Sequence, residues 1–376
     1  MHKFGLKLWS MKNFLFITNG HGEDIVAVQI IKELSKKHLD IDVMPVVGKG
    51  DIFKGLGVKM IGPRKALPSG GFGLRNYSYL SKDIFAGLLG KVISQVRVLN
   101  NNKWSYSLVI GIGDIVPIIY SMLTGCKFIF LGVNKSEYYK KLAFNYTWIE
   151  KKLLKDRCEL TLARDRRTAN ALASYGINAQ YVGNPMMDAV KDIRRSGHRG
   201  IGKSRVIGFL PGTRDDAYKN IEDFYKIAWQ ISLINKKIRF ILSIPSTLDR
   251  KKLLNIKMPV NIKLSSNFKD VLSRSSIIIG LSGTGNEQAA GIGLPVIAFP
   301  GRGAQFNSRF AHGQKELLGD ALLLLPRRSE TIAKEAVALL KNRKRIVSMG
   351  RAGMKRMGGP GATKRIAEII TRMASR

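Results

Sequence analysis

Short aromatic and β-branched runs, each closed by a loop of small residues and followed by a helical-period pattern, recur along both halves of the chain. The first is FLFIT, Phe14 to Thr18, which reads as a buried strand; beyond its loop, Ile25, Val28, Ile31 and Leu34 recur at helical spacing. IDVMPVV (Ile41 to Val47), SLVIGIGD (Ser107 to Asp114), KFIFLGV (Lys127 to Val133) and CELTLARD (Cys158 to Asp165) continue the series. The second half restarts it with RVIGFLPGTR, RFILSIP, SIIIGLSGTG and LPVIAFPGRG. Strands that alternate with helices predict an α/β fold with parallel, doubly wound sheets.

Near Tyr181 the pattern breaks. YVGNPMMDAV carries an Asn-Pro step, and KDIRRSGHRGIGKS is polar and glycine-rich, as an interdomain linker is. The reading is an N-terminal domain over 1–185, a linker over 186–204 and a C-terminal domain over 205–350. A helix follows over 351–376, and its return to the first domain stays open. Two α/β halves of similar size predict a bilobed chain with a cleft, and 376 residues are enough for two cores. Met11 competes with Met1 as the start, because MHKFGLKLWSMKNFLF leads directly into the first strand.

No apolar run reaches the length of a membrane-spanning helix. The two cysteines, Cys126 and Cys158, have no metal-site spacing and no disulfide framework, which predicts a reducing, cytoplasmic setting. The net charge of +36 attracts nucleic acid, anionic lipid or phosphorylated small molecules without choosing among them. Cations cluster at Arg194-Arg195, Lys341 to Arg345 and Arg351 to Lys355, with no zinc finger, RNA-binding signature or basic zipper among them. An anionic membrane surface is therefore the preferred partner, and no specific nucleic acid is expected. Leu67 to Gly73 reads as a surface loop. From Tyr77 to Leu99 runs an amphipathic pattern with Leu80, Ile84, Leu88, Val92 and Val96 on one stripe, and Lys82, Lys91 and Arg97 beside it. That stripe suits a helix lying on a membrane and equally a core helix.

Four strand-ending loops carry the chemistry. Gly20-His21-Gly22-Glu23-Asp24 turns a strand into a helix; its glycines let the backbone approach a ligand, and the helix N-terminus offers N–H groups to an oxyanion. Glu23 and Asp24 suit the helix dipole, while His21 can exchange protons near neutral pH or be merely structural. Asp114 ends a later strand, as a base or as a turn acid. In the second half, Gly212, Thr213 and Arg214 open a helix past a strand, as diphosphate binding requires. Ser282-Gly283-Thr284-Gly285 repeats the arrangement, with Glu287 one turn in, where a carboxylate can accept both ribose hydroxyls. Each loop alone is also an ordinary capped turn; the pair favours a nucleotide. Neither is a Walker A loop or a Gly-x-Gly-x-x-Gly fingerprint. Asp215-Asp216 reads as a helix cap rather than a metal pair.

On these motifs the chain resembles GT-B glycosyltransferases, and within them lipid-A-disaccharide synthase, in particular the synthase-related proteins of cyanobacteria. NGHGED stands where the synthase has Gly-Glu-x-Ser-Gly-Asp, and YVGNPMMD where it has Phe-Val-Gly-His-Pro-Leu-x-Asp. LPGTR echoes Leu-Pro-Gly-Ser-Arg. NFKDVLSRSSIIIGLSGTGNEQAAGIGLPVIAF and GRGAQFNSRFAHGQKELLG echo the donor-binding segments. The resemblance implies two Rossmann-like domains facing a central cleft, and transfer of a sugar from a UDP-sugar to an acceptor hydroxyl with no metal and no cofactor. By the same resemblance Arg214, Ser282, Gly283, Thr284 and Glu287 hold UDP, with Gly212, Thr213 and Gly285 in the same loops. Gln305 and Asn307 lie near the sugar or phosphate. Asp114 takes the base role, with His21, Glu23 and Asp24 opposite. Two departures stand out: Glu287 follows Thr284 by three residues, the spacing of UDP-N-acetylglucosamine 2-epimerases, and the opening loop contains His21. A lipid acceptor at an anionic bilayer is the preferred reading. A soluble-acceptor transferase, a 2-epimerase and a non-catalytic nucleotide-sugar binder are its rivals.

Overall fold

The structure, a computed structural model, describes residues 13–37, 39–64, 88–139, 145–193, 205–213, 216–245, 248–249, 252, 260–303 and 305–374. Its contacts divide the chain into two compact units. One holds 1–135, 146–185 and 361–376; the other holds 136–145 and 186–360.

In the first unit the elements run β1 (Asn13–Thr18), α1 (His21–Leu34), β2 (Asp40–Pro45), β3 (Lys59–Met60), α2 (Leu88–Asn101), β4 (Leu108–Ile112), α3 (Ile115–Leu123), β5 (Phe128–Gly132), α4 (Trp148–Arg157), β6 (Leu160–Ala163), α5 (Arg166–Ser174) and β7 (Ala179–Gln180). The second unit runs β8 (Val206–Leu210), α6 (Asp216–Ile234), β9 (Arg239–Ser243), β10 (Ile262–Ser265), α7 (Phe268–Arg274), β11 (Ile277–Gly280), α8 (Gly283–Gly291), β12 (Val296–Ala298), α9 (Ser308–Leu318), β13 (Leu322–Leu324), α10 (Ser329–Lys341) and α11 (Arg343–Met357). A last helix, α12 (Ala362–Met373), belongs to the first unit and packs on α1.

Both sheets are parallel throughout, in the orders β3-β2-β1-β4-β5-β6-β7 and β10-β9-β8-β11-β12-β13. Parallel sheets are covered on both faces, so their central strands read as continuous apolar runs; β1 is buried from Phe14 to Thr18, and β4 and β5 along their full length. Of the short outer strands, β3 and β10 carry no such run, whereas β13 lies within the apolar stretch Ala321 to Leu325. In the second core Phe209 stacks on Phe224 (ring centroids 4.9 Å apart) and on Phe240 (5.8 Å), with Phe299 edge-on to Phe224. The stretch read as a linker starts inside this core: Met187, Val190 and Ile193 are buried in it.

Strand order reverses between β1 and β4 in one sheet and between β8 and β11 in the other. Register aligns Thr18 with Ile112 and Leu210 with Gly280. At such a switch point the loops leaving the carboxyl ends diverge, and the crevice they leave is where open α/β sheets take ligands.

α2 departs from expectation. Residues 65–87, with the Leu67 to Gly73 loop and the start of the amphipathic pattern, lie outside the described residues. Within α2, Lys91, Gln95 and Leu99 pack inward, while Leu89 (64% exposed), Val92 (37%) and Ile93 (59%) face out. Lys91 is therefore no part of a solvated basic face. Its Nζ donates to the Val47 carbonyl (3.2 Å), as Gln95 Nε2 does to that of Val46 (2.9 Å). Burial pushes the Lys91 ammonium down to about 8. Between that value and its unfolded value of about 10.4, the unfolded chain holds the extra proton, so raising the pH through this window stabilises the fold. Chemical denaturation at successive pH values should show this rise in the wild type, and Lys91→Met should remove that part of it.

α11 lies close against α8. A Cβ at Gly350 would fall within the contact radius of the Gly293 carbonyl oxygen, and one at Gly353 within that of Ala290. Because backbone cannot yield as a flexible side chain can, Gly350→Ala should cost about 1–3 kcal/mol, read from the denaturation midpoint.

Candidate functional site

In the second unit the loop after β8 is Pro211-Gly212-Thr213. Gly212 has φ +97°, and a Cβ there would sit 3.1 Å from Gln305 Oε1 and 3.3 Å from the Leu281 carbonyl oxygen. Glycine is required both by the dihedral angle and by the close approach. Arg214 and Asp215 lie outside the described residues. Asp216 opens α6 and accepts from the Gln305 N–H (3.0 Å), so this acid ties α6 to the loop after β12. Asn220 adds a second tie: its Nδ2 donates to the Pro211 carbonyl (3.3 Å), and its Oδ1 accepts from the Arg302 N–H (3.0 Å). Asp223 holds Arg302 (2.8 Å) and Arg327 (2.9 Å). Gln305 is thus placed beside Gly212 by the backbone that α6 holds.

The loop after β11 is tied as firmly. Leu281 N–H donates to the Leu210 carbonyl (2.8 Å), joining the ends of the two central strands. Ser282 caps α8 through its Oγ, which accepts from the Gly285 N–H (3.2 Å). Gly283 and Thr284 open the helix, where N–H groups have no intrahelical acceptor. Gln314 of α9 donates from Nε2 to the Gly283 carbonyl (2.7 Å) and the Ser282 carbonyl (3.3 Å). Its Oε1 accepts from Asn286 Nδ2 (2.8 Å), which also donates to the Gly280 carbonyl (3.0 Å). These bonds hold the first turn of α8 to α9. Glu287 is 5% exposed, and its Oε1 accepts from Tyr139 Oη (3.3 Å). Asn307 caps α9, accepting from the Phe310 N–H (2.9 Å).

The structure therefore gathers Gly212, Thr213, Ser282, Gly283, Thr284, Gly285 and Gln305 at the β8/β11 switch point. Asn307 stands one residue beyond Phe306 in the Gln305 loop, and Glu287 lies one turn inside α8.

In the first unit, the corresponding edge is acidic and amide-rich. Asp114 caps α3: its Oδ1 accepts from the Val116 N–H (3.1 Å) and from Asn19 Nδ2 (2.7 Å). The turn before it needs Gly113, which has φ +137° and leaves 3.2 Å between an added Cβ and Asn19 Cβ. Asp24 is buried and accepts from Thr18 Oγ1 (2.5 Å), folding α1 onto the end of β1. Glu23 Oε1 accepts from Asn134 Nδ2 (2.6 Å). The loop thus brings Asp114, Asn19, Glu23 and Asn134 to the carboxyl ends of β1, β4 and β5. α1 begins at His21, whose side chain lies outside what the structure describes. Among the described residues, no three His, Cys, Asp or Glu side chains converge as a metal site would require. No described helix is long and apolar enough to cross a membrane.

Asn19, Asn134, Asn220 and Gln314 were not singled out in the sequence. Asn19 directly follows β1 and Asn134 stands two residues past β5, which is a readable signal. Gln314 lies in the same GRGAQFNSRFAHGQKELLG segment as Gln305, but its three partners are distant in sequence.

Two parallel, doubly wound Rossmann-like sheets define a GT-B-type α/β fold, and solved structures of that type match over nearly the full length. MurG from Acinetobacter baumannii is 13% identical, with 96% of this chain and 99% of that one covered at a TM-score of 0.62. The UDP-GlcNAc 2-epimerase from Neisseria meningitidis, bound to UDP-GlcNAc, is 15% identical, with 96% and 100% covered and a TM-score of 0.62. CalG4, the calicheamicin glycosyltransferase, is 15% identical, with 97% and 99% covered and a TM-score of 0.65. A family model, lipid-A-disaccharide synthetase, matches residues 169–299, a stretch that includes both small-residue loops of the second unit. No curated protein sequence matches the chain.

Gln314 is buried and serves three groups at once, so Gln314→Ala should destabilise the chain by about 1–3 kcal/mol. A denaturation curve measures that loss, and hydrogen exchange should quicken at Gly285, whose N–H the Ser282 cap holds.

Proposed function

We propose that this chain is a glycosyltransferase that moves a hexose or N-acetylhexosamine from a UDP-sugar to an acceptor hydroxyl on a membrane lipid. It is of the lipid-A-disaccharide-synthase-related kind and works peripherally at the cytoplasmic face. The observation that carries the reading is the paired loops at the β8/β11 switch point, inside the segment that the lipid-A-disaccharide synthetase model matches. A fixed helix N-terminus and a glycine at φ +97° are what a diphosphate needs to reach backbone N–H groups. The UDP-GlcNAc-bound epimerase of the same fold supports a UDP-sugar as the ligand.

In this reading Gly212, Thr213, Arg214 and Ser282 to Gly285 take the diphosphate, Glu287 the ribose hydroxyls, and Gln305 with Asn307 the sugar or its phosphate. Charge grows on the diphosphate as the glycosidic bond breaks, and donors already in position stabilise it without reorganising. In the first unit Asp114 removes the acceptor proton, oriented by Asn19, with His21 and Asp24 in support. No step is assigned to a metal or a cofactor. The outward Leu89, Val92 and Ile93 of α2 support contact with a bilayer.

The spacing from Thr284 to Glu287 and the epimerase structure favour one second reading, a UDP-sugar 2-epimerase, which converts its substrate with no acceptor present. A non-catalytic binder would tolerate loss of both His21 and Asp114.

Thermal shift against a panel of UDP-sugars tests the donor: a ligand at a hundred times its Kd stabilises by about 2.7 kcal/mol. Glu287→Ala should weaken UDP binding by roughly 1.5–3 kcal/mol for each hydrogen bond lost; unchanged affinity in the folded variant removes that role. Asparagine caps a helix as well as aspartate does. Asp114→Asn should therefore keep stability and UDP affinity while turnover falls by about 10²–10⁴. Full turnover in Asp114→Asn with loss in His21→Ala moves the base to His21.

A further inference from the structure

α11 presents one face to solvent and buries the other. Ile346, Met349, Gly350, Gly353 and Met357 are buried, so the helix cannot roll. Its exposed residues follow at helical spacing: Arg343, Val347, Arg351 and Lys355 in one row, Lys344 and Ser348 beside it. The row from residue 343 to 355 spans about 18 Å at 1.5 Å per residue. The sequence of α11, RKRIVSMGRAGMKRM, contains no carboxylate.

Two of its cations are already engaged elsewhere. Arg345 reaches Glu335 (3.4 Å), and the Arg356 guanidinium lies over the Tyr138 ring, 4.1 Å from its centroid. Arg343, Lys344, Arg351 and Lys355 make no ion pair among the described residues. Between Arg343, Lys344, Val347, Ser348 and Arg351 lies an open depression of about 640 Å³. The helix begins at Arg343, capped by Asn342, whose Oδ1 accepts from the Arg345 N–H (2.9 Å), so the positive end of its dipole adds to the same field.

Cations kept along a fixed line, two of them one turn apart at 351 and 355, repel one another unless anions lie between them. The exposed row follows one helix axis, as contact with an extended anionic plane requires, and α11 holds no aromatic residue to stack a base. We propose that this face of α11 is a docking surface for an anionic lipid bilayer, with headgroup phosphates between the four cations and Val347 at the acyl boundary. The inference rests on the peripheral-membrane part of the proposed function and adds a cationic surface of the second unit to it.

The test compares binding of the full chain to phosphatidylcholine vesicles with and without phosphatidylglycerol. The wild type should bind the anionic vesicles alone and release them at high salt. A cation near such a surface contributes about fivefold in affinity (about 1 kcal/mol). The variant R343E/K344E/R351E/K355E should then lose at least about a hundredfold. A control with the same change in net charge, K219E/K226E/K236E/K237E, reverses exposed lysines at α6 and the turn after it, and should bind nearly as the wild type does. R343K/R351K should retain binding, and matching melting curves show that the variants are folded. Equal losses in both quadruple variants would assign binding to the diffuse field of the chain and overturn the α11 face. So would a folded α11 variant that still binds, or one that loses duplex DNA and keeps vesicles. A wild type that binds neither vesicle sinks the membrane reading as well, whereas UDP affinity, measured without vesicles, stands or falls separately.

Discussion

The geometry of the second unit depends on how near α11 comes to α8. Glycine at 350 and 353 lets the two helices meet backbone to backbone, against Gly293 and Ala290. α8 is short and made largely of small residues, GTGNEQAAG, and has little side-chain surface of its own to grip the core. Its position comes from the close contact on one side and from Gln314 with Asn286 on the other. Small residues at the helix start keep the backbone open to a ligand, and small residues along its length let the supporting helix close in. The same composition serves both ends.

A comparable economy governs the loop after β8. Asp216, Asn220 and Asp223 lie on successive turns of α6 and hold the backbone and the arginine of the loop after β12. That loop in turn sets Gln305 against Gly212. A ligand binding here would meet groups already ordered, so less side-chain freedom would be lost on association. In the first unit the carboxylates are likewise anchored: Asp24 by Thr18, Glu23 by Asn134, and Asp114 by a helix N-terminus and Asn19. The helix-cap role of Asp114 is thus a structural fact, and a base role would be added to it rather than replace it.

Much of this was legible in the sequence because parallel strands buried on both faces write themselves as apolar runs, and small-residue loops follow them. The outer strands β3 and β10 were not legible, being short and only partly buried. Nor were the pairings of the anchors. Gln314 meets Ser282 and Gly283 across some thirty residues of chain, and Asn134 meets Glu23 from more than a hundred away; no local pattern records such a pairing. Lys91 shows the opposite failure. Helical periodicity pointed to a stripe through Val92 and Val96, yet the row 91, 95, 99 is equally periodic. Its lysine and glutamine turn inward because the Val46 and Val47 carbonyls need donors.

The last helix has a consequence for how the chain is made. α12 lies on α1, with Ile366, Ile369 and Ile370 buried and Arg365 donating to the Val182 carbonyl (2.6 Å). The first unit is therefore not a contiguous stretch of chain, and on the ribosome it stays incomplete while residues 186–360 of the second unit are synthesised. At roughly 5–20 residues per second, the interval between residues 185 and 373 is about 10–40 s. Through that interval the side of α1 that α12 covers is left exposed, and a chaperone or a membrane surface has time to meet it first. The second unit is interrupted as well, but only by residues 146–185, so its early segment waits a much shorter time.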